Sequence, residues 1–201
     1  MTKAAFFSNQ PASLDVVYGN GRKDRLAQFC ELYPVIISTE NFDAHVQNLH
    51  SVEVIFSTWG MPTLNTTQLA KLPLLKAVFY AAGSVKFFAE PFLQKQVLVI
   101  SAWAANAVPV AEFTVSQILL ATKGYFRNIR DCATSQGRKN PFIGVGNYGT
   151  TIALLGAGMV GRKVIERLVH FDLKVLVFDP FLSLEDAEHL GVEKVTLEEA
   201  F

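Results

Sequence analysis

The sequence predicts an α/β protein built on parallel sheets. Three observations predict it. Short apolar runs alternate with polar, helix-like segments. Half of the 201 residues are apolar and only 18% are charged, against roughly 25% in an average soluble protein. A glycine-rich turn also stands between a strand-like run and a helix-like run, as in βα units.

Taken in order, candidate strands lie at residues 4–7, 35–37, 52–56, 77–80 and 97–100. Each is nearly continuous in apolar residues, the pattern of strands buried on both faces of a parallel sheet. Helices are predicted at 22–30, 41–49, 66–72 and 91–96, with Leu26, Phe29 and Cys30 on one face of the first. Asn65 or Thr66 is a plausible helix start. Residues 14–18 fit a strand or a short helix. Residues 109–132 read as one long helix, apolar on most sides, with Pro109 near its first turn. A glycine- and proline-containing loop follows. Then come a strand at 151–155, a helix from Met159, a strand at 174–178, an acidic helix at 184–190 and a brief strand near 192–195.

Composition narrows the function. Lys+Arg and Asp+Glu both number 18, so the net charge is zero. The cationic excess that dominates nucleic-acid binding is missing, and anionic membrane surfaces are disfavoured for the same reason. Two cysteines, Cys30 and Cys132, make no disulfide framework and point to a cytoplasmic, reducing setting. Residues 1–11 hold no signal-peptide core. An uncharged, apolar-rich stretch such as 96–111 falls short of a membrane span.

Two segments spell GxGxxG, at 144–149 and 156–161. A phosphate-binding turn must follow a strand and open a helix. The first segment precedes a strand and reads as a loop. The second has the right setting. There Gly156 permits the tight turn, Gly158 lets a pyrophosphate approach the backbone, and Gly161 allows close helix packing. The amides of Met159 and Val160 sit at the helix N-terminus, where an anion is favoured. Asp179 closes the next strand and is placed to accept ribose hydroxyls. No arginine follows Arg167, so a 2′-phosphate would meet Asp179 without an evident cation, and NAD is favoured over NADP. A glycine turn used only for packing is the alternative.

Three segments in this order and spacing, YAAGSV at 80–85, NAVPVAEF at 106–113 and the fingerprint from Gly156 to Asp179, resemble the D-isomer-specific 2-hydroxyacid dehydrogenases. That family includes phosphoglycerate and formate dehydrogenases. The resemblance implies two Rossmann-like or flavodoxin-like parallel-sheet domains. These are a substrate domain at 1–103 and an NAD-binding domain at 104–201, of which only the N-terminal part is present. It implies an NAD-dependent oxidoreductase acting on the CH–OH group of a 2-hydroxy acid, with the site in the cleft between domains. The backbone of Ala82, Gly83 and Ser84 would bind the substrate carboxylate, Asn106 would orient substrate, and Ala107 would lie beside the cofactor. Independently, a carboxylate needs convergent N–H donors, which a glycine turn at a strand end can supply. The bland roles are a turn for Gly83 and a helix cap for Asn106. Trp59, Met61 and Trp103 are read as shaping the pocket. The resemblance also implies a homodimer through the 109–132 helix.

The family's histidine, its carboxylate partner and its substrate arginine come from later segments. None of His45, His50, His170 and His189 matches the catalytic position, so no catalytic residue is assigned, and no metal. Thr196 and Glu199 fit a capping box opening a further helix. Residues 181–201 carry six acids and one lysine. The reading is of a C-terminally truncated chain, inactive alone. The alternatives are an NAD-sensing, corepressor-like interaction protein or an inactive remnant.

Overall fold

The computed structural model describes residues 1–201. They form two compact units, Met1–Asn106 and Ala107–Phe201.

In the first unit five parallel strands are ordered β2-β1-β3-β4-β5: β1 Thr2–Phe6, β2 Cys30–Leu32, β3 Val54–Ser57, β4 Ala77–Tyr80 and β5 Leu98–Ser101. This is the flavodoxin-like order, whose switch point lies between β1 and β3. The helices are α1 Pro11–Tyr18, α2 Arg22–Ala27, α3 Phe42–Leu49, α4 Thr66–Ala70 and α5 Ala89–Gln94. Alternation along the strands sends Phe7, Ile55, Val78 and Tyr80 into the main core, with Phe42, Leu49, Leu69 and Phe92. The opposite face buries Phe6 against Leu14 and Tyr18 of α1. Residues 14–18 are thus helical. Asn65 and Gln68 cap α4 reciprocally, each side chain accepting the other's backbone N–H at 2.8 and 3.1 Å.

Three expectations are corrected here. The helix at 22–30 ends at Ala27, and the edge strand is Cys30–Leu32 rather than 35–37. Pro34 has no N–H for the ladder. The chain leaves β1 after Tyr33 and returns only for a single Phe7–Ile37 bridge. Phe29 is consequently exposed, while Cys30 is buried in β2. Burial on both faces also fails toward β5, where Phe79, Leu98 and Ile100 are exposed, because the α1–α2 layer packs on the β1–β3 side.

The second unit contains the remainder of α6 Trp103–Thr122, then α7 Tyr125–Asp131, α8 Ser135–Lys139, β6 Thr150–Leu155, α9 Met159–Leu168, β7 Leu173–Phe178, α10 Leu184–His189 and β8 Glu193–Lys194. Its strands are parallel in the order β6-β7-β8. The single helix expected at 109–132 is instead two. It begins at Trp103 with Pro109 inside it and breaks at Gly124, whose φ of 72° is left-handed. A Cβ at Gly124 would stand 2.5 Å from the Phe142 ring. Ala111 and Val115 of α6 pack against Val164 and Leu168 of α9, with Ile152 of β6 alongside. The helix is long and apolar enough, by length and composition alone, to cross a membrane. Glu112 interrupts the uncharged run at residue 111 but lies within the helix. Ala157, Ile165, Val177 and Ala187 form a separate cluster beneath α10. Thr196 and Glu199 make the expected reciprocal bonds, at 2.8 and 3.2 Å.

Candidate cofactor and substrate sites

In the second unit, β6 and β7 run in register to their carboxyl ends, pairing Leu155 with Phe178. The Gly156 amide donates to the Phe178 carbonyl at 2.8 Å, so the glycine turn and Asp179 share one edge. The three glycines differ in what surrounds them. Gly156 has φ 105°, a conformation that L side chains rarely adopt. A Cβ on Gly161 would lie 2.1 Å from the Gly156 carbonyl oxygen, so this glycine lets helix and strand approach. A Cβ on Gly158 would meet no protein atom within 4 Å, so only an incoming group would need that space. Gly158 is the N-cap of α9 and no side chain caps the helix. The first amides of the helix, Met159 and Val160 among them, are therefore open to an anion.

Asp179 Oδ2 accepts from the Ala157 amide at 2.7 Å, and Oδ1 accepts from the Phe181 amide at 2.7 Å. These bonds hold the carboxyl below the usual carboxylate range, the Ala157 bond being the larger cause. Two further residues, Arg162 and Asp186, take part in this turn. Arg162 donates through Nε to the Ala157 carbonyl at 3.1 Å and through Nη2 to Asp186 Oδ2 at 2.9 Å. Their only sequence signal is their place, Arg162 directly after the glycine motif and Asp186 in the acidic helix.

In the first unit the segment after β4 is the candidate anion site. The Ala81 amide donates to Ser57 at 2.8 Å, whereas those of Ala82, Gly83 and Ser84 donate to no protein acceptor. Ser101, at the end of β5, donates to the Ala82 carbonyl at 3.0 Å and also reaches the Gly83 carbonyl. A hydroxyl on the neighbouring strand thus holds the carbonyls on one side. A Cβ on Gly83 would lie 3.1 Å from Asn106 Nδ2, so two of the expected substrate residues meet. Asn106 is not a helix cap. Its amide donates to the Ala102 carbonyl at 2.9 Å, one turn inside α6. Ala107 is buried in the same helix. Trp59 and Trp103 are exposed, but Met61 belongs to the core, which corrects its reading as a pocket residue. The Gly144–Gly149 segment is loop.

Residues 115–201 match the family model of the D-isomer specific 2-hydroxyacid dehydrogenase NAD binding domain. Over that stretch the chain is similar to the D-isomer-specific 2-hydroxyacid dehydrogenases. Among curated relatives, the D-3-phosphoglycerate dehydrogenase of Methanocaldococcus jannaschii is 29% identical over 106 residues, covering 53% of this chain and 20% of that protein. The Bacillus subtilis D-3-phosphoglycerate dehydrogenase is 31% identical over 103 residues, 51% of this chain and 20% of that protein. The fold resembles a Rhizobium etli phosphoglycerate oxidoreductase, with TM-score 0.70 and 23% identity over 98% of this chain and 61% of that one. It also resembles the Aquifex aeolicus D-lactate dehydrogenase solved with NAD and lactic acid, with TM-score 0.65 and 21% identity over 98% of this chain and 57% of that one. The match thus spans a fifth of these curated relatives' length. The matched domain of this family binds NAD.

His45 bonds Tyr33 at 2.9 Å, His170 follows the far end of α9, and His189 ends α10.

Proposed function

We propose that this chain holds NAD at the Gly156–Gly161 turn and a 2-hydroxy or 2-oxo acid at the Ala82–Ser84 turn, as part of a 2-hydroxyacid dehydrogenase. The observation that carries it is the division of labour among the three glycines, with Asp179 clamped beside them. The residues fit the cofactor. Gly158 leaves space at an uncapped helix N-terminus, which suits a pyrophosphate. Each Asp179 oxygen keeps a lone pair after accepting its amide, which suits a ribose diol. Asp179 also disfavours a 2′-phosphate, so NAD is preferred over NADP.

When bound, NAD supplies the hydride acceptor and donor. The chain's own residues bind and orient. The free amides of Ala82, Gly83 and Ser84 receive the carboxylate, and Asn106, resting on Gly83, orients the substrate. Ala107 lies beside the nicotinamide. A second copy of the chain packs along α6, whose Val110 and Phe113 are exposed. By itself the 201-residue chain binds NAD but turns over little. The setting is cytoplasmic.

Calorimetric titration with NAD and NADP, followed by an NADH-oxidation screen over small 2-oxo acids, tests the reading. NAD binding with NADP rejected is the expected result. No binding of either nucleotide would overturn the cofactor assignment, and vigorous 2-oxoacid reduction would overturn the statement about turnover.

A further inference from the structure

Arg162 contacts two successive carbonyls at the start of α9. Its backbone amide donates to the Gly158 carbonyl at 2.9 Å and its Nε to the Ala157 carbonyl at 3.1 Å. A trans peptide is planar, with N–H and C=O pointing to opposite sides. Fixing these two carbonyls toward Arg162 therefore turns the Gly158 and Met159 amides the other way, outward from the helix N-terminus. That is the side on which Gly158 leaves open space. The guanidinium is itself held, since Nη2 bonds Asp186 Oδ2 at 2.9 Å. Asp186 is set in the first turn of α10 by Ser183, whose Oγ accepts the Asp186 amide at 3.0 Å. On the other side of Ala157, Asp179 pins the preceding peptide through its N–H.

We propose that Arg162, braced by Asp186, is a positioning residue for the pyrophosphate of the dinucleotide. Its side chain aims the Gly158 amide at the anion. The proposal rests on the NAD reading above and deepens it. A cation near a pyrophosphate also attracts it without any positioning, and the two accounts differ in sign. Asp186→Ala removes an acid and frees the guanidinium, so bare attraction predicts tighter binding, whereas lost bracing predicts weaker binding. Arg162→Lys keeps the charge but loses the fork that reaches Ala157 and Asp186 together, so attraction predicts no change and positioning predicts a loss.

The experiment titrates NAD, ADP-ribose and adenosine into the full chain and both variants by calorimetry or NMR, with thermal melts alongside. The expected result is a roughly tenfold loss for NAD and ADP-ribose in each variant, with adenosine, which lacks the pyrophosphate, unchanged. Unchanged or tighter ADP-ribose binding overturns the proposal. So does an equal loss for adenosine, which would mean general loosening. Asp186→Ala sits on a half-exposed helix position that alanine suits, so it carries the test if Arg162→Lys melts early. Failure of the unmodified chain to bind NAD or ADP-ribose would instead sink the underlying NAD reading.

Discussion

The backbone amide of Ala157 donates to Asp179 Oδ2 at 2.7 Å, across 22 residues of chain. One acid thus closes the glycine turn and stands at the end of the next strand. Its other oxygen takes the Phe181 amide, so the carboxylate is oriented before any ligand arrives. Recognition of the ribose and shaping of the turn are carried by the same side chain.

Replacing Asp179 should therefore have two effects. Asp179→Ala is expected to weaken NAD about tenfold, since charge-assisted hydrogen bonds to the ribose hydroxyls are lost, and to narrow the preference over NADP. Calorimetry with both nucleotides checks this. Unchanged affinity for both would remove Asp179 from the ribose site.

The glycines separate stability from binding. Gly161→Ala places a Cβ 2.1 Å from a backbone carbonyl, and overpacking of this kind costs about 1–3 kcal/mol, so the melting temperature should fall. Gly158→Ala has φ −69° and meets nothing nearby. It should melt like the parent chain yet bind NAD poorly. Melting curves and titrations of the two variants should show opposite defects.

Acid should release the clamp late. The two amides lower the Asp179 pKa, so the carboxylate's contribution to folding is complete above the unfolded value of about 3.9. It is lost as pH falls through the lower folded value. The melting difference between the parent and Asp179→Asn should persist down to about pH 4 and vanish below it. A difference that disappears already at neutral pH would contradict the clamp.

Ser101 supports the substrate turn from the next strand. Ser101→Ala removes the donor to the Ala82 and Gly83 carbonyls, at a net cost of about 0.5–1.5 kcal/mol for a typical bond. Denaturant unfolding should show that loss. No change in midpoint would mean that water replaces the hydroxyl without cost.

Much of this was legible in the chain itself. Strand, turn, helix and acid follow one another from Thr150 to Asp179, and local spacing is enough to place Gly156, Gly158, Gly161 and Asp179 on one edge. The α4 cap and the Thr196–Glu199 box were readable for the same reason, since each depends on residues three apart. Legibility failed where the outcome depended on what a segment meets. Residues 35–37 have strand composition, but Pro34 and the partner β1 decided that Cys30–Leu32 pairs instead. Residues 109–132 have helical composition throughout, but Gly124 turned left-handed against Phe142. Ser101 facing the Ala82 and Gly83 carbonyls joins adjacent strands, and Arg162 reaching back to Ala157 and across to Asp186 joins three elements. No periodicity encodes such contacts. The sequence by itself determined the βα order, the glycine turn and its acid, because these rest on local backbone geometry. Only the tertiary structure decided how that turn is braced and which amides stay free, because long-range hydrogen bonds exist only once the strands and helices have packed.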